Sequence, residues 1–214
     1  GANPRIQSYF DNSELSGDVA QPASPAVAAL LEPYKDSLLP GALEGIARLA
    51  HAGWRIVIAS NQSGLGRGLF DVAALNAMHA KLNKQLATMG GRIDAVFYCP
   101  HGPDERCRCR KPEPGLFEQI GERYGMDLKG VPAVGDHLRD LQAATAVGCE
   151  PHLVMTGKGA QYKGQSNLPK DFPANTQAHV DLSAFVDWLL LKTQAAAKSS
   201  AKATQTSQSA GSSA

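Results

Sequence analysis

Between Leu39 and Lys192 the spacing of apolar residues changes repeatedly, and a Gly, Pro or Asp marks most of the changes. GALEGIARLAHAG has apolar residues three and four apart and closes on Gly53, which predicts an amphipathic helix. WRIVIAS follows as a short run of apolar and β-branched residues, the pattern of a strand buried on both faces. Asp71 opens and Gly90 closes a second helical stretch, DVAALNAMHAKLNKQLATMG. DAVFYC reads as a strand, PGLFEQIGERYG as a helix with Pro114 near its start, and VPAVGD as a strand running into a loop. RDLQAATAVG is a helix ending at Gly148, PHLVMTG a strand, and DLSAFVDWLLLK a last helix. Strands alternating with helices predict one α/β domain over 39–192, a parallel sheet with helices on both faces.

The flanks have a different texture. Residues 1–38 are weakly patterned, although RIQSYF has the make-up of a short strand and PAVAALLEPY that of a short helix. From about Thr193 the chain is Ala, Ser, Gln, Thr and Lys without a large apolar residue. Such a segment buries too little surface to offset its ordering entropy, so 193–214 is expected to be a disordered tail.

Composition narrows the function classes. The net charge is +1, which gives no electrostatic footprint for nucleic acid. No apolar run has the length of a membrane span, and no stretch has the make-up of a signal peptide. The expectation is a soluble, cytoplasmic, monomeric protein that meets a small molecule rather than a membrane or nucleic acid.

Three of the four cysteines lie in YCPHGPDERCRCRKPEPG, as Cys99-x-His101 and Cys107-x-Cys109. Four soft ligands match the number and type that structural Zn²⁺ takes in a tetrahedron, with no position left for substrate or an activated water. Three ordinary thiols and a surface histidine are the plainer alternative. Cys149, alone after Gly148, reads as a small buried hydrophobe.

Three further segments put polar groups at the carboxyl ends of predicted strands, the edge where open α/β sheets bind ligands. The first is Ser60, Asn61, Gln62 and Ser63, followed by Gly64, Gly66, Arg67 and Gly68, whose donors suit phosphate oxygens. The second is Arg110-Lys111-Pro112, a rigid guanidinium fork beside a point charge. The third is Gly135-Asp136 with Asp140 four residues on, carboxylates suited to Mg²⁺ and sharing one helical face if the helix has begun. Each has a plainer alternative: an ordinary turn, a solvated basic pair, or Asp136 capping a helix with Asp140 paired to Arg139 or a surface cation. Together they favour a Mg²⁺-dependent phosphate site.

In this order, SNQSG, CPH…CxCRKPxPG and VGDxxxDxxAA resemble the haloacid dehalogenase superfamily over about Leu39 to Leu191. The zinc-loop variant is similar to the D-glycero-D-manno-heptose 1,7-bisphosphate 7-phosphatases, with histidinol-phosphate phosphatases as near relatives. The resemblance implies a Rossmann-like core and phosphoryl transfer through an aspartyl-phosphate, in the synthesis of ADP- or GDP-heptose for lipopolysaccharide core. It implies that Ser60 hydrogen-bonds the phosphoryl group, Lys111 neutralises its charge, Asp136 binds Mg²⁺ and Asp140 supports that site. Asn61, Gln62, Arg67 and Arg110 would grip the sugar or its second phosphate, and Cys99, His101, Cys107 and Cys109 would be the zinc ligands. The family also opens with a strand ending in Asp-x-Asp-Gly, its nucleophile and general acid/base, and this chain contains no such motif. A histidinol-phosphate phosphatase and a sugar-phosphate-binding relative that does not turn over therefore stay open. Loss of that strand would also strip the sheet of a central member and expose its neighbours.

Overall fold

The computed structural model describes residues 41–165 and 167–210. The strand and helix expected within 1–38 lie outside them. The described elements run α1 (Ala42–His51), β1 (Val57–Asn61), α2 (Ser63–Gly66), α3 (Val72–Ala87), β2 (Ala95–Cys99), α4 (Gly115–Tyr124), β3 (Pro132–Gly135), α5 (Leu138–Thr145) and β4 (Glu150–Val154). A 3₁₀ turn (Gly157–Tyr162), β5 (Gln177–His179) and α6 (Leu182–Ala210) complete the series.

The punctuation works as its chemistry demands. Asp71 caps α3 by accepting the Ala74 N–H at 2.8 Å, meeting one of the four donors a helix start leaves unpaired. Gly125 ends α4 at φ 59°, a left-handed turn that costs a residue without Cβ nothing. The short α2, the 3₁₀ turn and β5 have no counterpart in the apolar pattern. β5 is three residues long and carries no apolar alternation, so only its pairing with β4 identifies it. The C-terminal expectation needs correction, because α6 runs unbroken from Leu182 to Ala210, through most of the expected tail. Among the residues of α6 whose burial is described, Phe185, Val186 and Leu189 are buried. Beyond Thr193 the Ala, Lys and Gln of the sequence are strong helix formers, and propagation from a packed first half needs no new nucleus.

Among the described residues all strand pairs are parallel, in the orders β1-β2 and β3-β4-β5. One face carries α1, α3 and α6. There Ile56, Ile58 and Val96 meet Leu82 and Leu86 of α3, and Trp54 and Val154 meet Phe185 and Leu189 of α6. The other face carries α4 and α5, where Val57, Ala59, Phe97 and Ala133 pack with Leu116, Ile120 and Ala144. The three-layer, Rossmann-like arrangement expected from the sequence is present. Cys149 is buried against Leu128 and Ala144 in the second face, as read.

Candidate active site and cysteine-rich loop

Parallel pairing sets Ser60 beside Tyr98 and Asn61 beside Cys99, so the ends of β1 and β2 bring the polar turn and the cysteine loop together. Asn61 fixes the next element of the site. Its Nδ2 donates to the Lys111 carbonyl at 3.0 Å, and its Oδ1 accepts the Lys111 N–H at 3.0 Å. Both main-chain groups of Lys111 are therefore held by one side-chain amide. Asn61 thus has a positioning task within the protein.

Held this way, the Lys111 ammonium lies 2.8 Å from the Ala59 carbonyl and 2.7 Å from Asp140 Oδ1. The side chains of this ion pair are only 11% and 18% exposed. Near-dry surroundings strengthen the attraction and make an unpaired partner costly. Neither Arg139 nor a surface cation takes Asp140. Its partner comes from a motif 29 positions earlier.

Asp136 sits just before α5, and its Oδ2 accepts the Lys158 N–H at 3.0 Å. The helix cap is His137, whose Nδ1 accepts the Arg139 N–H at 3.2 Å, so Asp136 is left for other work. Because α5 begins at Leu138, Asp136 and Asp140 do not share a helical face as the spacing suggested. Asp140 instead packs against the turn itself, where a Cβ on Gly135 would stand 2.6 Å from Asp140 Cβ. Gly157, at φ 54°, covers the other side, and a side chain there would collide with Asp136 Oδ2. A carboxylate in a close backbone cradle with one oxygen held and one left over fits a Mg²⁺ ligand. Lys158 escaped sequence reasoning, which ended its strand at Gly157; the signal available was the GKG turn at a strand end.

The remaining candidates divide. Gln62 Nε2 donates to Ser60 Oγ at 3.0 Å, which orients that hydroxyl at the strand end. Arg110 turns back into the loop and donates to the His101 carbonyl at 3.3 Å. Arg67 is exposed at the end of α2.

The four expected zinc ligands are gathered, their donor atoms all within 4.8 Å of one another. Cys99 Sγ is 3.7 Å from Cys107 Sγ and 3.5 Å from His101 Nδ1, and His101 Nδ1 is 3.2 Å from Cys109 Sγ. A tetrahedron with Zn–S bonds of about 2.3 Å has S···S edges of about 3.7 Å, so the donor set fits the ion. Burial pushes the thiols of Cys99 and Cys109 up, which makes them poor thiolates until a cation offsets the charge. The loop is tied to the polar turn through the Gly66 N–H, which donates to the Pro100 carbonyl at 2.9 Å. Glu105 closes the loop by accepting the Gly102 N–H.

Comparison with known proteins agrees with this geometry. A HAD-hydrolase-like family model matches residues 108–180, and a polynucleotide kinase 3 phosphatase model matches 34–138. The chain is 56% identical over 152 residues to a D-glycero-beta-D-manno-heptose-1,7-bisphosphate 7-phosphatase of Bordetella bronchiseptica, covering 71% of this chain and 83% of the relative. A Pseudomonas aeruginosa protein of the same name is 50% identical over the same coverage. The crystal structure of D,D-heptose 1,7-bisphosphate phosphatase from B. bronchiseptica, complexed with magnesium and phosphate, superposes with a TM-score of 0.67 at 55% identity, covering 72% of this chain and 84% of that one. That from Burkholderia thailandensis gives 0.56 at 47% identity, covering 71% and 85%. With the buried lysine, the two carboxylates and the cysteine loop in the expected order, the chain belongs to the D-glycero-beta-D-manno-heptose-1,7-bisphosphate 7-phosphatase family of the HAD-like phosphatases.

Proposed function

We propose that this chain is a phosphoric monoester hydrolase that removes the 7-phosphate of D-glycero-β-D-manno-heptose 1,7-bisphosphate. The product would feed nucleotide-activated heptose and lipopolysaccharide core synthesis in the cytoplasm, with the chain acting as a monomer. The observation that carries the proposal is the Lys111 ammonium, buried between the β1 carbonyl of Ala59 and Asp140 beside the Asp136 cradle. Phosphoryl transfer is catalysed mainly by positioning and charge stabilisation. Lys111 supplies a fixed positive charge for the phosphoryl oxygens, and Asn61 sets its position from below. Ser60, oriented by Gln62, offers a hydroxyl to the same group. Asp136 would hold Mg²⁺, which would neutralise charge on the phosphate oxygens, and Cys99, His101, Cys107 and Cys109 would hold Zn²⁺ and stiffen the loop. Arg67 and Arg110 are the cations available to a second phosphate at this edge. The chain lacks Asp-x-Asp-Gly, and Asp136 and Asp140 are engaged by the Lys158 N–H and Lys111. The proposal therefore draws the phosphoryl-accepting carboxylate from residues 1–40, where Asp11 and Asp18 are the first to replace.

The test is phosphate release from the heptose bisphosphate with Mg²⁺, with histidinol phosphate alongside. The expected result is turnover of the bisphosphate that falls at least about 100-fold in Lys111→Ala. A melting temperature raised by the bisphosphate with no phosphate released would instead make the chain a sugar-phosphate-binding relative. Preferential turnover of histidinol phosphate would reassign the substrate.

A further inference from the structure

Arg67 stands in a turn that its own composition does not hold. Gly64, Gly66 and Gly68 leave residues 63–70 few side chains to pack, and glycine loses more freedom on ordering than any other residue. The turn is nevertheless closed. The Arg67 N–H donates to the Ser63 carbonyl at 3.1 Å, the Gly68 N–H to the Leu65 carbonyl at 3.1 Å, and the Leu69 N–H to the Gly64 carbonyl at 2.8 Å. Two neighbours press on its glycines. At Gly66 the neighbour is the cysteine loop, where a Cβ would stand 2.7 Å from the Pro100 carbonyl oxygen and 3.0 Å from Glu105 Oε2. At Gly64 it is the ring of Phe70, where a Cβ would collide with Cε1 and stand 2.9 Å from Cδ1 and Cζ. The ring therefore lies directly on the Gly64 backbone.

Phe70 is well placed to hold something. It is half-buried, and the apolar clusters that join the described helices to the sheet are built from other residues. Asp71, next in the chain, caps α3 by accepting the Ala74 N–H, and the Leu75 N–H donates to the Asp71 carbonyl at 3.2 Å. The ring is thus carried by the first turn of a 16-residue helix. An aromatic side chain covers a large area with two rotatable bonds, so it passes the position of that helix to the turn at little cost in entropy. A binding group is held more precisely by a rigid element than by its own loop.

We propose that Phe70 is a positioning residue for substrate recognition, whose ring pins the turn over 64–69 and thereby holds Arg67 for the second phosphate of the heptose bisphosphate. The inference rests on the activity proposed above. Lys111 and Ser60 are held by other means, the Asn61 amide, the Gln62 side chain and the pairing of β1 with β2. Without the ring, Arg67 must be ordered at the moment of binding, which weakens affinity. Loss of Phe70 therefore affects the grip on the substrate and spares the reacting phosphate.

Steady-state kinetics and hydrogen exchange on the full chain test this together. In Phe70→Ala, KM for the heptose bisphosphate should rise at least about 10-fold with kcat changed less than about threefold. Arg67→Ala should raise KM to a similar extent and the double variant no further, because the ring acts through Arg67. Phe70→Tyr, which keeps the ring, should keep the parent KM. The Leu69 amide should exchange at least about 10-fold faster in Phe70→Ala and at the parent rate in Arg67→Ala. The rise in melting temperature with inorganic phosphate and Mg²⁺, which reads Lys111, should be the same in Phe70→Ala and the parent. If Phe70→Ala does not fold, Phe70→Leu takes its place. An unchanged KM, KM rises that add in the double variant, or a Leu69 amide indifferent to loss of the ring would overturn the proposal. Failure of the parent to hydrolyse the bisphosphate would count against the activity instead, and calorimetric affinities for the bisphosphate would then stand in for KM in the same variants. A parent that does not bind the bisphosphate would overturn both.

Discussion

At the scale of single residues, the site rests on side chains that hold other side chains. Asn61 is the clearest case, since its amide meets both main-chain groups of Lys111. Asn61→Ala should therefore lower kcat by about 10- to 100-fold with KM changed less than about threefold, because a displaced ammonium loses alignment more than affinity. Asn61→Asp, which keeps the acceptor for the Lys111 N–H, should recover part of the loss, and steady-state kinetics on the two variants decides it. His152 makes a different residue-scale prediction. It is fully buried among His179, Phe185 and Trp188, its Nδ1 lies 3.1 Å from His179 Nε2, and its Nε2, 3.9 Å from Glu150 Oε2, has no hydrogen-bond partner among the described residues. Burial, and then the neighbouring His179, holds its pKa down to about 4, against about 6.5 for an exposed imidazole. Between those values the unfolded chain takes up a proton that the folded chain does not, so stability is complete above pH 6.5 and drains away as pH falls towards 4. His79 and His179, also lowered by burial, add in the same direction. Thermal melts from pH 7 to 4 should show a steep decline, reduced in His152→Phe by the equivalent of about 2–3 kcal/mol. Residue types and spacing singled out Lys111, Asp136 and the Cys99, His101, Cys107 and Cys109 set that folding gathers. The clamp by Asn61 and the Lys111–Asp140 pair were not, because each joins groups that only tertiary folding brings within 3 Å.

At the scale of elements, the loop from Cys99 to Arg110 carries the largest structural demand with the least regular structure. It leaves β2 at a buried cysteine, doubles back through His101, Cys107 and Cys109, and delivers Arg110 and Lys111 to the strand edge. Beyond Cys99 it contains no helix or strand, so metal ligation is the natural source of its rigidity. Protein purified without chelator should contain about one equivalent of zinc, and stripping it should lower the melting temperature by about 5 °C or more. The same treatment should loosen the polar turn, because the Gly66 N–H bonds to the Pro100 carbonyl. Hydrogen exchange at Gly66 measures that link directly; unchanged protection after zinc removal would separate the turn from the loop. Helices with a cap or a closing glycine were read from sequence to within a few residues, as Asp71 and Gly125 show. The tail beyond Thr193 was misread because composition reports what a segment can bury, whereas a helix already nucleated by Phe185, Val186 and Leu189 extends on local propensity alone.

At the scale of the whole molecule, alternation of strands and helices foretold the parallel arrangement, but not which strands become neighbours. That depends on contacts between distant parts of the chain, such as those of Lys111 with the Ala59 carbonyl of β1 and with Asp140 of α5. The site straddles this junction: Ser60, Asn61 and the Ala59 carbonyl belong to the first sheet, while Asp136 and Asp140 hang from the second. An anion held by Lys111 would therefore tie the two sheets to each other, and its binding free energy should appear in global stability rather than in one loop. Inorganic phosphate with Mg²⁺ at about 100 times its dissociation constant would add about 2.7 kcal/mol, a rise of about 5–10 °C for a domain of this size. Lys111→Met, which keeps the length of the stem and removes the charge, should cut that rise to under about 2 °C. Its basal melting temperature should also fall, because Asp140 is left buried without its partner. The informative quantity is the difference between the melts with and without phosphate, which cancels the basal loss. A rise of equal size in both proteins would place the anion away from Lys111, and the two sheets would then not share it.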